Sequence, residues 1–252
     1  MQIRNVAKRF LAVTILVLMA AGHGQAATIT GGSTLLDSNY ANQLESWLGE
    51  GSITLTNIFT KTPGNTATDF HNAVDGKGRT FVVMSASENG TDYFTIGGYN
   101  PQSWNSGGVY NYSNNDADRT AFLFNLSSTN IYRQNLSSNQ LKYPDGCSSC
   151  GQFQTFNYPS YGPTFGGGHD LHVEYGLNYG FSLGFSYGGA SLFNKSIIDG
   201  SYFDGYNVTF GGIEVFTISS VTPVPEPEIY AMMGLGLGLL GWVGRRKKLQ
   251  AA

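Results

Sequence analysis

Short runs of aromatic and β-branched residues, each closed by glycine, asparagine or serine, recur along the chain, and this punctuation constrains the fold more than any other feature. Residues 81–84 (FVVM) form a continuous apolar run, as a strand buried on both faces requires. Residues 93–98 (YFTIGG), 120–126 (TAFLFNL), 181–187 (FSLGFSY) and 206–218 (YNVTFGGIEVFTI) carry the same residue types. Turn signals separate them: Glu88-Asn89-Gly90, residues 105–108 (NSGG), Gly166-Gly167-Gly168 and Gly188-Gly189. Two segments break this rhythm. From Ser38 to Leu48, Tyr40, Leu44, Trp47 and Leu48 share one helical face, with Asp37 or Ser38 as N-cap and Gly49 as stop. From Thr66 to Val74, Thr66 and Asp69 have the spacing of a capping box, and Phe70 and Val74 face inward. The reading is a mainly β (α+β) domain of two packed antiparallel sheets with two peripheral helices.

The two ends have a different character. Residues 1–26 place Arg4, Lys8 and Arg9 before a run of about 12 apolar residues and end in GHGQAA, the pattern of a signal peptide cleaved after Ala26. At the other end, an extended, proline-spaced linker (220–228) precedes an uncharged apolar stretch (229–244) and a basic tail (245–252). That stretch is about 24 Å long as a helix, slightly short of a ~30 Å hydrocarbon layer, and carries Tyr230 and Trp242 near its edges. It reads as one transmembrane helix, with the basic tail held on the cytoplasmic side. Between Ala27 and Val224 stand seven basic and fifteen acidic residues, a net of −8. An acidic body without a basic stripe argues against nucleic acid as a partner.

Residues Val224, Pro225, Glu226 and Pro227, the apolar stretch, and Arg245, Arg246, Lys247 and Lys248 together resemble the PEP-CTERM sorting signal of Gram-negative bacteria that make extracellular polysaccharide. The resemblance implies recognition by an exosortase: a protein exported across the inner membrane, anchored by its C-terminal helix, then processed toward the cell surface or extracellular matrix. Within the body, FHNAVDGKGRTFVVM (70–84), IGGYNPQSW (96–104), AFLFNL (121–126), GPTFGGGHDL (162–171) and GIEVFTI (212–218) occur in the order of a TLDc domain, so residues 33–219 resemble that family. This implies a TLDc-like β-sandwich with peripheral helices and brings no catalytic mechanism with it. TLDc domains are known from eukaryotic oxidation-resistance proteins, and export separates this chain from those relatives.

Candidate chemistry is sparse. His71 can pair with Asp75 one helical turn on. His169 and Asp170 follow three glycines that permit a tight turn, and together with Tyr99 and Trp104 they are the candidate surface or turn site. If a strand already begins at His169, His172 points to the opposite face, away from any shared metal. Cys147 and Cys150 are the only cysteines, and an oxidising compartment predicts a local disulfide. Asp116 and Asp118 in NNDADR are the calcium candidates, and no other cofactor is expected. Loop aromatics Tyr99, Trp104, Tyr110, Tyr112, Tyr158 and Tyr161 could stack on sugars. H-E-x-x-H does not occur, and neither of the two G-x-S-x-G strings, at residues 180–184 (GFSLG) and 184–188 (GFSYG), is read as a nucleophile elbow. The expected function is therefore a non-catalytic binding or structural module whose partner is extracellular polysaccharide or an envelope protein. The alternative is a carbohydrate-active or calcium-dependent enzyme on the same sandwich.

Overall fold

The computed structural model describes residues 26–139, 150–221 and 235–237. In chain order its strands and α-helices are β1 (Thr28–Thr30), α1 (Ser38–Leu48), β2 (Ile53–Thr60), α2 (Ala67–Val74), β3 (Thr80–Ser87), β4 (Phe94–Asn100), β5 (Val109–Tyr112), β6 (Phe122–Asn125), β7 (Asn130–Arg133), β8 (Phe153–Asn157), β9 (Thr164–Phe165), β10 (Leu171–Val173), β11 (Tyr179–Ser182), α3 (Gly189–Leu192) and β12 (Val208–Ser220).

Both expected helices form. Asp37 caps α1 by accepting from the Tyr40 N–H, and Gly49 ends it in the left-handed region, at φ 75°. At the start of α2 the Asp69 carboxylate accepts from the Thr66 N–H at 2.8 Å and the Thr66 hydroxyl at 3.0 Å, closing the capping box.

The apolar run at 81–84 lies in β3, near the middle of the sheet, and it feeds two cores because successive side chains alternate faces. Phe81 and Val83 join α1's Ala41 and Leu44, with Phe122, Phe124 and Phe216, in one core. Val82 and Met84 join α2's Phe70 and Val74, with Trp104, Leu123, Phe165, Leu171 and Val173, in the other.

The expectation of two separate sheets is corrected. Hydrogen bonding is continuous through the order β5-β8-β9-β10-β11-β12-β3-β4-β6-β7, with β2 also on β12 and β1 on β2. All pairs are antiparallel except β1 with β2, which is parallel. The two layers are halves of one sheet folded over the core that holds Phe165 and Val82. The hinge is β12, whose register shifts between Phe210 and Ile213, across Gly211 and Gly212. Its start pairs with β11, and from Glu214 onward its partner is β2.

Strand β11 stops at Ser182, short of the expected 187. Beyond it, the Asp170 carboxylate takes the backbone N–H groups of Phe185, Ser186 and Tyr187. Of the expected membrane helix at 229–244, only residues 235–237 are described, and they are helical. Among the described residues no helix is long and apolar enough to cross a membrane.

Candidate functional site

On the face of β5 and β8–β11 turned away from the cores, aromatic rings form an unbroken strip. From Tyr112 the ring centroids step to Phe153 (5.2 Å), Tyr110 (4.7 Å) and Phe156 (4.5 Å). The path continues to His169 (5.3 Å), His172 (5.3 Å), Phe181 (5.0 Å) and Tyr206 (4.7 Å). Tyr158 stacks on Phe156 at 5.8 Å with an interplanar angle of 4°. None of these rings belongs to either core cluster. Crossing five strands, the strip is roughly 19 Å long at about 4.8 Å per strand spacing.

Strand register explains the alignment. Tyr110 lies directly opposite Phe156, and Tyr112 opposite Phe153, across a β5–β8 ladder whose register shifts between Asn111 and Tyr112. That shift brings Phe153 and Phe156, three apart, to one face. Across β10 and β11, His172 pairs with Phe181. The strip has a buried floor, with His172 and Phe181 almost fully covered. Above the floor Tyr112, Tyr158 and Tyr206 are 42%, 42% and 65% exposed, enough to offer ring faces to a ligand.

His169 and His172 share this face, against the alternation argument. Strand β10 begins at Leu171, and His169 sits before it in a left-handed turn at φ 57°, so its ring swings onto that of His172. Burial lowers the pKa of His169, and burial followed by the nearby His169 takes His172 down to about 3. Both rings are therefore neutral at physiological pH. Thr164 Oγ1 and His172 Nδ1 share a hydrogen bond of 3.0 Å.

Asp170, between the two histidines, is completely buried, and burial pushes its carboxyl up to about 7 against the pull of three backbone donors. The space it fills exists because residue 166 is glycine: a Cβ there would come 1.8 Å from Asp170 Oδ1. Asp170 thus fixes the 185–187 segment, and His169 alone of the expected turn pair reaches the strip.

The other expected surface residues are core. Trp104 is fully buried, donates from Nε1 to Thr80 Oγ1 at 2.9 Å and packs edge-on against Phe70 and Phe165. Tyr99 is buried against Phe81 and Phe122. Tyr110 and Tyr112 belong to a strand rather than a loop. His71 bridges from α2: Nδ1 lies 2.8 Å from Asp75 Oδ1, and Nε2 lies 3.1 Å from the carbonyls of Tyr158 and Tyr161. It thereby anchors the loop that carries Tyr158 and also Tyr161, whose ring lies 4.5 Å from that of His172.

The calcium candidates do not converge. They lie in a 3-10 turn, Asp116–Asp118, where Asp116 accepts from the Ser137 N–H and hydroxyl and pairs with Arg119 at 3.0 Å. The Asp118 carboxylate accepts from the Asn115 amide instead. Among the described residues no group of three or more His, Cys, Asp or Glu could hold a metal ion. Cys150 is disulfide-bonded, and Cys147 lies outside the described residues. Also outside them are Val224, Pro225, Glu226, Pro227, Arg245, Arg246, Lys247, Lys248 and residues 1–25 of the expected signal peptide; Ala26 is described and exposed.

Sequence reasoning missed Phe153, Phe156, His172, Phe181 and Tyr206 as strip members. The bulge in the β5–β8 ladder breaks the period-2 pattern that links Phe153 to Phe156, and Tyr206 reaches Phe181 only through the fold.

Residues 29–219 match the TLDc domain family, and residues 223–248 match the PEP-CTERM protein-sorting motif. No curated protein is significantly similar to the chain.

Proposed function

From a chain that belongs to the TLDc domain family and closes with a PEP-CTERM protein-sorting motif, we propose an exported envelope protein whose body is a non-catalytic module that binds extracellular polysaccharide along its aromatic face. The motif implies exosortase processing and attachment to the cell envelope. The body's role rests on one observation, the strip from Tyr112 to Tyr206, held on a rigid sheet with three tyrosines open to solvent. A flat apolar ring face suits the C–H face of a sugar, and a strip roughly 19 Å long suits a chain of them rather than one unit. The strip is uncharged, because its two histidines are neutral. Hydrolysis would need an acid and a base exposed around a scissile bond. Asp170, which stands between the two histidines in sequence, is instead fully buried and accepts from three backbone donors.

The test is retention of the protein on native matrix polysaccharide. Tyr158→Ala and Tyr206→Ala, both at exposed positions, should each weaken retention severalfold without lowering the melting temperature, and no shortened polysaccharide should accumulate. Retention unchanged in the double variant refutes the aromatic face as the binding surface. Release of reducing ends by purified protein refutes the non-catalytic reading. Replacing Pro225 and Pro227 by alanine should leave export intact and block maturation, and unchanged processing on an immunoblot counts against the exosortase route.

A further inference from the structure

The body's only three arginines, Arg79, Arg119 and Arg133, gather around one place. A depression of about 270 Å3 between the end of α1 and strands β4, β6 and β7 is lined by Leu48, Glu50, Tyr99, Arg119, Thr120, Phe122 and Arg133. It shares no residue with the ring strip. Such a grouping in a body of net charge −8 needs an account.

Each arginine has a structural duty that leaves donors over. Arg119, its side chain 3% exposed, gives Nη1 to the Asn135 carbonyl at 2.7 Å and to Asp116, while its buried Nε has no hydrogen-bond partner. Arg133 lies over the Phe122 ring at 5.4 Å and gives Nη2 to the Trp47 carbonyl at 3.0 Å, one bond from a group with five N–H donors. The single acid in the lining, Glu50, is held by Arg79 Nη1 at 2.6 Å to both of its oxygens. Burial raises the pKa of the Tyr99 phenol, so it keeps its proton. Two guanidinium groups, a phenol O–H and the Thr120 hydroxyl thus surround a space with no uncommitted acid in its lining.

We propose that this depression binds one oxyanion, the carboxylate or sulfate group of an acidic sugar unit, independently of the aromatic face. Both guanidinium groups line the same depression, and a planar carboxylate or a sulfate placed there would use N–H donors that their structural bonds leave over. The volume lies just under the about 300–1,000 Å3 of clefts for drug-sized ligands, which suits a single charged unit rather than a stretch of polymer.

The experiment is calorimetric titration of the full chain in detergent, at low ionic strength, with glucuronate, sodium sulfate and uncharged glucose. Saturable binding of glucuronate, competed by sulfate and absent for glucose, is expected. Arg133→Gln, at an exposed position, should weaken it about tenfold, the loss of one charge-assisted hydrogen bond. Tyr99→Phe keeps the ring packing and should weaken it less, and both variants should melt within a few degrees of the parent. The proposal is overturned if neither anion saturates, if Arg133→Gln binds as the parent does, or if glucose competes equally. Binding of sulfate without glucuronate identifies a free inorganic anion and overturns the sugar unit.

Discussion

Asp170 and His172 pull the pH dependence of stability in opposite directions. In the folded chain Asp170 holds its proton up to about 7, against an ordinary value of 3.8. Between those values the unfolded chain has released a proton that the folded chain keeps, so this residue makes the protein less stable as pH rises. His172 titrates at about 3 when folded, against an ordinary 6.5. Between those values the unfolded chain takes up a proton that the folded chain refuses, so its contribution is complete above about pH 6.5 and is lost as pH falls. From about pH 4 to 6.5 the two effects offset each other. Asp170→Asn keeps an oxygen for the three backbone donors of residues 185–187, and its melting temperature should fall on acidification through that window. His172→Phe should show the reverse, falling as pH rises from about 4 to 7. Thermal unfolding across pH measures both, and profiles superimposable on the parent's would show that the two groups are not held as described. Asp170→Ala should cost at least about 3 kcal/mol at any pH, because it orphans three buried N–H groups.

At the level of elements, the fold-over of the sheet depends on a strand that carries no side chain where the other half lands. On β4, a Cβ at Gly98 would come 2.6 Å from the Phe165 ring, and one at Gly97 would come 1.9 Å from the Val82 carbonyl. Gly98→Ala should therefore destabilise by about 1–3 kcal/mol through overpacking, and Phe165→Leu in the same chain should recover part of that loss, since a ring can be shortened and a backbone cannot. Gly97→Ala should cost more, with no such rescue. Additive losses in the Gly98 and Phe165 double variant, read by denaturant unfolding, would mean the two halves do not meet there. These glycines also mark what the sequence conveys. Runs such as FVVM and the capping pair Thr66 and Asp69 are local signals, so β3 and both long helices are readable from the chain alone. The joining of two layers into one sheet is carried by a two-residue contact, Tyr179 with Thr209 and Gly180 with Val208, which leaves no trace in periodicity. The strip is legible only in part for the same reason. Tyr110, Tyr112, Tyr158 and Tyr161 stand out by composition, yet Trp104 and Tyr99 look identical to them until the burial of each is known.

Across the whole molecule, the two ends of the body meet. Strand β2 lies between β1 and β12, with Thr28 on one side of Thr54 and Ser219 on the other. Two strand spacings separate those ends, roughly 10 Å. Both are fastened: the Ala27 N–H donates to Asn42 Oδ1 at 2.9 Å, and the Val221 N–H to the Ser52 carbonyl at 2.8 Å. The segments that the sequence reads as signal and sorting tail thus join the body at one pole. Adjacent ends of this kind allow the chain to be reconnected without rearranging its core. A permutant that joins Val221 to Ala26 through about six Gly/Ser residues and opens between Pro63 and Gly64, both exposed, has linker enough at about 3.3 Å per residue. It should unfold cooperatively within a few degrees of the linear body and retain polysaccharide binding through Tyr158 and Tyr206. A permutant that stays unfolded while the linear 26–221 body folds would mean the ends are not neighbours, and the single-pole tether would lose its basis. Folding with loss of retention would instead leave the tether intact and place the ligand near the joined ends, away from the strip.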